Sequence, residues 1–186
     1  MTFALIVIDV QVDFFERQER LAAQRQRLVA SINELVREFR GRRLPIIWIK
    51  QEYTPDLGDA PLAMRKQGIR ITITGTPGSE IVPELNRMAM DQVVVKKRFS
   101  AFFNTDLAQI LRSLAPVTLV LAGINSHACV RMTAIDAYMR DLEVVIAEDC
   151  VASYDDHHHE VTMRYLGDGI AQVLDNDQIL RLLGTA

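Results

Sequence analysis

Apolar residues along this chain fall into two alternating arrangements. Short continuous apolar runs occupy residues 3–10 (Phe-Ala-Leu-Ile-Val-Ile-Asp-Val), 45–50, 93–95, 117–123, 142–147 and 169–174. Runs of this length without polar alternation predict strands covered on both faces. Between them the apolar positions spread to helical spacing. Residues 19–40 carry Leu21, Leu28, Ile32, Leu35, Val36 and Phe39 on one stripe, in a background of Ala, Gln, Arg and Glu, and Gly41 marks the stop. Further helices are predicted from a cap at Asn104 or Thr105 through Leu114, from the turn after Gly123 to Arg140, from residues 153–156 to Leu166, and from a cap at Asp175 to Leu183. Residues 51–91 form a long connection with Pro55, Pro61, Pro77 and Pro83, predicted to carry a short helix over residues 80–90. Connections this long are often lids or binding loops. Strands alternating with helices predict a three-layer α/β fold around a six-stranded, mainly parallel, Rossmann-like sheet. The whole of residues 1–186 reads as one domain.

Composition narrows the class. Hydrophobic residues make up 49% and charged residues 24%, with a net charge of −3 and no basic tail, so no nucleic-acid partner is expected. No apolar run has the length of a bilayer span. The start, Met1-Thr2-Phe3, runs directly into the first strand without a basic leader, so no export signal is read. Two cysteines do not make a disulfide framework, and a reducing, cytoplasmic setting is expected. No internal repeat or low-complexity segment interrupts the pattern.

Three chemically unusual residues fall at the carboxyl ends of predicted strands, where open α/β sheets bind ligands. Asp9 interrupts the first apolar run, and a carboxylate there needs a cationic or hydrogen-bonding partner. Lys96, or else its neighbour Lys97, follows the third strand. Cys129 lies in the first turn of the helix after Gly123, where unpaired amide N–H groups favour the thiolate and can hold an oxyanion. Each has a plainer alternative: a turn cap for Asp9, solvated charges for the lysines, a small buried hydrophobe for Cys129. Together an acid, a base and a thiol at one rim suit nucleophilic chemistry. Cys150, between acidic neighbours, reads as structural.

Four segments in order, residues 9–14 (Asp-Val-Gln-Val-Asp-Phe), 96–102 (Lys-Lys-Arg-Phe-Ser-Ala-Phe), 123–129 (Gly-Ile-Asn-Ser-His-Ala-Cys) and 147–153 (Ala-Glu-Asp-Cys-Val-Ala-Ser), resemble the isochorismatase-like cysteine hydrolases. That superfamily includes nicotinamidases and N-carbamoyl amide hydrolases. The resemblance covers nearly the whole chain and implies an Asp9–Lys96–Cys129 triad. It selects Lys96 over Lys97 by counting back from Ser100. It further implies a cis peptide at Ile124–Asn125, Ala128 and Cys129 amides aimed at a substrate oxygen, strand order 3-2-1-4-5-6, and a homo-oligomer, dimer or tetramer. The activity implied is hydrolysis of a C–N bond in a small amide or ureido substrate through a thioester, without a cofactor. Alternatives are an isochorismatase-type vinyl-ether hydrolase and a non-catalytic member.

Departures bear on the substrate. Nicotinamidases carry an Asp-x-His metal set with a further His after the second strand. Here that stretch reads Lys50-Gln-Glu-Tyr-Thr-Pro-Asp56, and no histidine precedes His127. No metal is therefore expected there, and nicotinamide is disfavoured. Isochorismatases have glycine at the nucleophile position, whereas this chain has Cys129; yet His127 and residues 136–141 look like that branch. Gln11, Phe14, Phe99, Phe102 and His127 are the expected pocket residues. Core packing is the competing role for the phenylalanines, and a bond within the turn for His127. Trp48 reads as core. Consecutive histidines 157–159 point different ways on a helix and read as a solvated helix start rather than a metal site.

Overall fold

A computed structural model describes residues 2–114 and 117–184; Met1, Ala115, Pro116, Thr185 and Ala186, the rest of the expected domain, lie outside them. Six strands form one sheet, parallel throughout: β1 (Thr2–Ile8), β2 (Ile46–Gln51), β3 (Gln92–Lys96), β4 (Val117–Ile124), β5 (Glu143–Ala152) and β6 (Gln172–Leu174). Their order is β3-β2-β1-β4-β5-β6, which puts β1 and β4 at the centre. Strand geometry sends successive side chains to opposite faces, and β1 shows the consequence. Phe3, Leu5 and Val7 face one core with Leu28, Ile32, Leu35, Val36 and Phe39 of helix α2 (Glu19–Gly41). Ala4, Ile6 and Ile8 face the other, with residues of α4 (Leu107–Ser113), α5 (Arg131–Tyr138) and α6 (Asp156–Gly167). A strand apolar at every position is thus buried twice, as its unbroken run predicts. Helix α7 (Asn176–Gly184) joins the α2 face through Ile179 and Leu183, and Asp175 accepts from the Gln178 amide at its start.

The differences from expectation have local causes. A six-residue helix, α1 (Val12–Arg17), fills the turn after β1. The expected helix at residues 80–90 is absent. That segment instead gives its backbone groups to other partners: Val82 N–H to the Val10 carbonyl, and the Glu84 carbonyl and Asn86 N–H to the Asn33 side chain on α2. Pro83 removes one helical donor as well. The long connection carries α3 (Leu62–Gln67) and a 3₁₀ turn, Pro77–Ser79, and builds a small core of its own from Tyr53, Leu57, Ala60 and Ile73. Strand β5 runs five residues past its predicted end, through a register shift opposite Leu121 and Gly123. Cys150 therefore lies inside that strand, buried, with its thiol donating to Asn176 Oδ1. No described helix is long and apolar enough to cross a membrane.

At Gly123 the backbones of the two central strands leave no room for a side chain. Its φ is +118°, and a Cβ there would lie 2.0 Å from the Ile8 carbonyl oxygen, against backbone that cannot step aside. Gly123→Ala should lower the denaturant midpoint by an amount equivalent to about 3 kcal/mol, since it combines overpacking with a disfavoured dihedral. An unchanged midpoint would contradict this placement.

Candidate active site

The carboxyl ends of the four strands β3, β2, β1 and β4 meet at one rim. Asp9 follows β1 directly, with φ +54°, a left-handed conformation that β-branched residues avoid and Asp tolerates. Its amide still donates to the Ile49 carbonyl, so the carboxylate is turned inward while the backbone stays on the sheet. Lys96 is the last residue of β3, two strands away, and its side chain crosses in front of β2. Its Nζ lies 2.7 Å from Asp9 Oδ2 and 3.4 Å from Cys129 Sγ. The Arg98 carbonyl at 3.0 Å and Gln51 Oε1 at 3.4 Å complete the ammonium's surroundings. Lys97 points the other way, to Asp59 Oδ2 at 2.8 Å and the Glu52 carbonyl. Strand alternation thus separates the two lysines, and only Lys96 belongs to the cluster.

The cluster is dry. The Lys96 side chain is 0% exposed, Asp9 is equally enclosed, and Cys129 is 5% exposed. Burial pushes the Asp9 carboxyl up from its ordinary range, while the Lys96 ammonium and the Cys129 thiol pull it back. Burial disfavours the Lys96 cation, but the adjacent Asp9 and Cys129 outweigh it and raise its pKa. The Cys129 thiol is pushed up to about 12, by burial first, with Lys96 opposing and Asp9 reinforcing. The expectation of an eased ionisation at a helix start is therefore reversed: burial outweighs the Lys96 ammonium and favours the thiol over the thiolate. The neutral thiol, the carboxylate and the ammonium together carry no net charge, the arrangement that a low-dielectric pocket costs least to hold. Beside the Lys96 ion pair, neither Asp9 oxygen accepts a well-aligned hydrogen bond, and the carboxylate and the thiol each shift the other's pKa.

Cys129 sits in a single π-helical turn, Ser126–Val130, that leads into α5; such turns often occur at functional sites. The Ile124–Asn125 peptide before it is cis. The Asn125 carbonyl accepts from both the Ala128 and Val130 amides. The Ala128 N–H is thus occupied and does not serve as the free oxyanion donor expected of it.

Other expected pocket residues divide. Gln11 is fully buried, and its amide is spent: Nε2 donates to the Gln51 and Ser79 carbonyls, and Oε1 accepts from Gln51 N–H. It fastens the long connection to the sheet and has nothing left to offer a substrate. Phe14 packs against the α2-side core, on the face opposite Cys129. Phe102 is buried in the same core as Cys129, under the Arg140 guanidinium. Phe99 and Phe103, 57% and 52% exposed, line an open cavity of about 460 Å³ with Pro61, Arg98, Ser100, Met132 and Asp136. His127 bonds Ser153 Oγ through Nδ1 at 2.7 Å, outside the turn rather than within it. His159 bonds Ser126, His158 bonds Asp155, and Trp48 is buried with its Nε1 donating to Asp91. Gln51 escaped sequence reasoning, and Ser126 and Ser153 lay within the matched segments without a role; His159, expected on a solvated helix start, is instead half-buried against Ser126.

A histidine–carboxylate metal set after β2 does not fit these residues. Lys50 is ion-paired to Glu52 at 2.7 Å, Gln51 faces Lys96, and Tyr53 is a buried phenol whose pKa burial raises.

The isochorismatase domain matches residues 3–178. An uncharacterised isochorismatase family protein of Bacillus subtilis, YaaI, is 29% identical over 179 residues, covering 95% of this chain and 96% of that one. The crystal structure of N-carbamoylsarcosine amidase from Thermoplasma acidophilum superimposes with a TM-score of 0.80 at 31% identity, covering 95% and 98% of the two chains. That of the nicotinamidase PncA from Bacillus subtilis gives 0.83 at 28%, covering 94% and 100%.

Proposed function

The chain belongs to the isochorismatase family of hydrolases, and on that footing we propose that it is a cysteine amidohydrolase acting on a small amide or ureido compound. One observation carries the reading: a thiol, a carboxylate and an ammonium from three separate strand ends share one buried contact. In the mechanism, Asp9 accepts the thiol proton as Cys129 Sγ attacks the carbonyl carbon. The carbonyl π electrons move to oxygen, and the oxyanion is held by the Cys129 amide. The tetrahedral adduct collapses, the C–N bond breaks, and the departing nitrogen takes the proton from Asp9. Water then adds to the thioester with Asp9 again as base, the C–S bond breaks, and the sulfur recovers a proton. Lys96 keeps Asp9 ionised before attack and offsets the thiolate as it forms. No step requires a metal.

The pH profile follows from these roles. Asp9 must be ionised to act as base, and burial raises its pKa. The acid limb of kcat/KM should therefore lie above the ordinary aspartate value of about 4. Lys96 must stay charged, and its pKa is raised above 10.5, so the rate should hold through the ordinary lysine range. An acid limb at or below pH of about 4 would contradict the role given to Asp9.

The deciding experiment measures ammonia release from a panel of carboxamides and N-carbamoyl compounds, with wild type beside Cys129→Ala. A second reading, vinyl-ether hydrolysis, is favoured by the raised pKa of Asp9, which suits a proton donor. Pyruvate release from isochorismate that survives Cys129→Ala would select it.

A further inference from the structure

The turn that carries Cys129 is tied to the rest of the molecule by two serine–histidine hydrogen bonds running in opposite senses. Ser126, wholly buried at the first position of the turn, meets His159 Nδ1 of α6 through its Oγ at 2.8 Å. His127, the next residue, meets Ser153 Oγ just past β5 at 2.7 Å. Ser153 Oγ already accepts from the Asp155 amide at 2.9 Å, so its own hydrogen is available to His127. His159 is in turn fixed at its backbone, donating to the Asp155 carbonyl at 2.9 Å. Burial lowers the His159 pKa and Arg27 adds to this, against Glu148 and Glu160, which favours the neutral ring, whose Nδ1 can accept from the serine. Two bonds at adjacent residues, pulling toward different elements, fix the rotation of the turn as well as its height. On the far side, Thr133 of α5 accepts from the Ala101 amide at 3.0 Å, holding the helix to the loop after Lys96.

Cys129 lies three residues beyond Ser126 in the same π-helical turn. Its sulfur is held by Lys96 at 3.4 Å, a contact that a small rotation of the turn would open. We propose that the Ser126–His159 hydrogen bond sets the position of the Cys129 sulfur between Asp9 and Lys96, making His159 a positioning residue for the hydrolysis. The inference rests on the reading of Cys129 as nucleophile. A reacting group has to be held to within about 0.5 Å, and a misplacement of about 1 Å costs roughly 100-fold in rate.

The test uses p-nitrophenyl acetate as an acylating probe, with the acetylated residue identified by mass spectrometry. In that step the Sγ–C bond forms, the ester C–O bond breaks, p-nitrophenolate leaves with the electron pair, and the thiol proton passes to Asp9. Ser126→Ala and His159→Leu should slow the acylation burst about 10- to 100-fold with its half-saturating concentration within about 2-fold. His159→Asn, which keeps an acceptor near the place of Nδ1, should recover most of the rate. Equal bursts in wild type, Ser126→Ala and His159→Leu, with Cys129→Ala silent, would overturn the positioning role and leave the nucleophile standing. Equal loss in His159→Leu and His159→Asn would mark mere structural damage and overturn it too. A burst that survives Cys129→Ala would remove both readings. If Ser126→Ala does not fold, the two His159 variants decide, since that side chain is only half-buried.

Discussion

Cys129→Ala should fall to the background of the amide panel, a loss on the order of 10⁴-fold or more in kcat, while the fold survives. The magnitude follows from the mechanism: without sulfur there is no thioester, and what remains is binding and any oxyanion contact. The stability cost is small because one buried heavy atom is removed from the edge of a core, comparable to trimming a methyl at about 1 kcal/mol. Its circular dichroism spectrum and melting curve should therefore overlay those of wild type closely, so that lost turnover is lost chemistry. Cys150→Ala is the control. Its thiol is buried on the opposite core and donates to Asn176, far in role from the rim, and its loss should leave turnover of folded protein near wild type.

Lys96→Met should be both inactive and unstable, and its instability should depend on pH in a stated direction. The ion pair with Asp9 is wholly buried, and removing one partner of such a pair costs about 3–5 kcal/mol because the other charge is left alone. Asp9 has one escape, which is to bind a proton. Its folded-state pKa, already raised by burial, then climbs further as the Lys96 attraction is lost. A carboxyl with a folded pKa above its unfolded value stabilises the fold fully below the unfolded pKa, and that contribution disappears as pH rises through the folded pKa. Lys96→Met should accordingly lie closest to wild type in acid and fall away toward neutral and alkaline pH. The double variant Asp9→Asn, Lys96→Met removes both charges and should recover most of the stability at neutral pH without any turnover. Failure of the double variant to recover would mean that the cost lies in packing and not in the stranded charge.

How much of this was legible in the sequence depends on which force decides each feature. The doubly covered strand β1 was readable because burial on both faces demands apolar residues at every position, and Asp9 stood out for breaking that demand. Strand order and the selection of Lys96 over Lys97 came from resemblance. Register against Gln51 on β2 is what turns Lys96 inward and Lys97 toward Asp59. The missing helix at residues 80–90 shows tertiary hydrogen bonds to Asn33 overriding local propensity. The extension of β5 through a register shift left no mark on the apolar pattern. Gln11 is an expected pocket residue, yet its amide is consumed in holding the long connection down. For Cys129 the helix start is visible in sequence, but the depth of burial that raises its pKa is not.

The most direct measurement is the mass of the enzyme quenched during turnover of whichever panel compound releases ammonia. Wild type should carry the acyl or carbamoyl group of that compound on the peptide containing Cys129, and the adduct should decay as free acid accumulates. An enzyme that releases ammonia at full rate with Cys129 unmodified, and equally well after Cys129→Ala, would contradict the role of the sulfur as nucleophile.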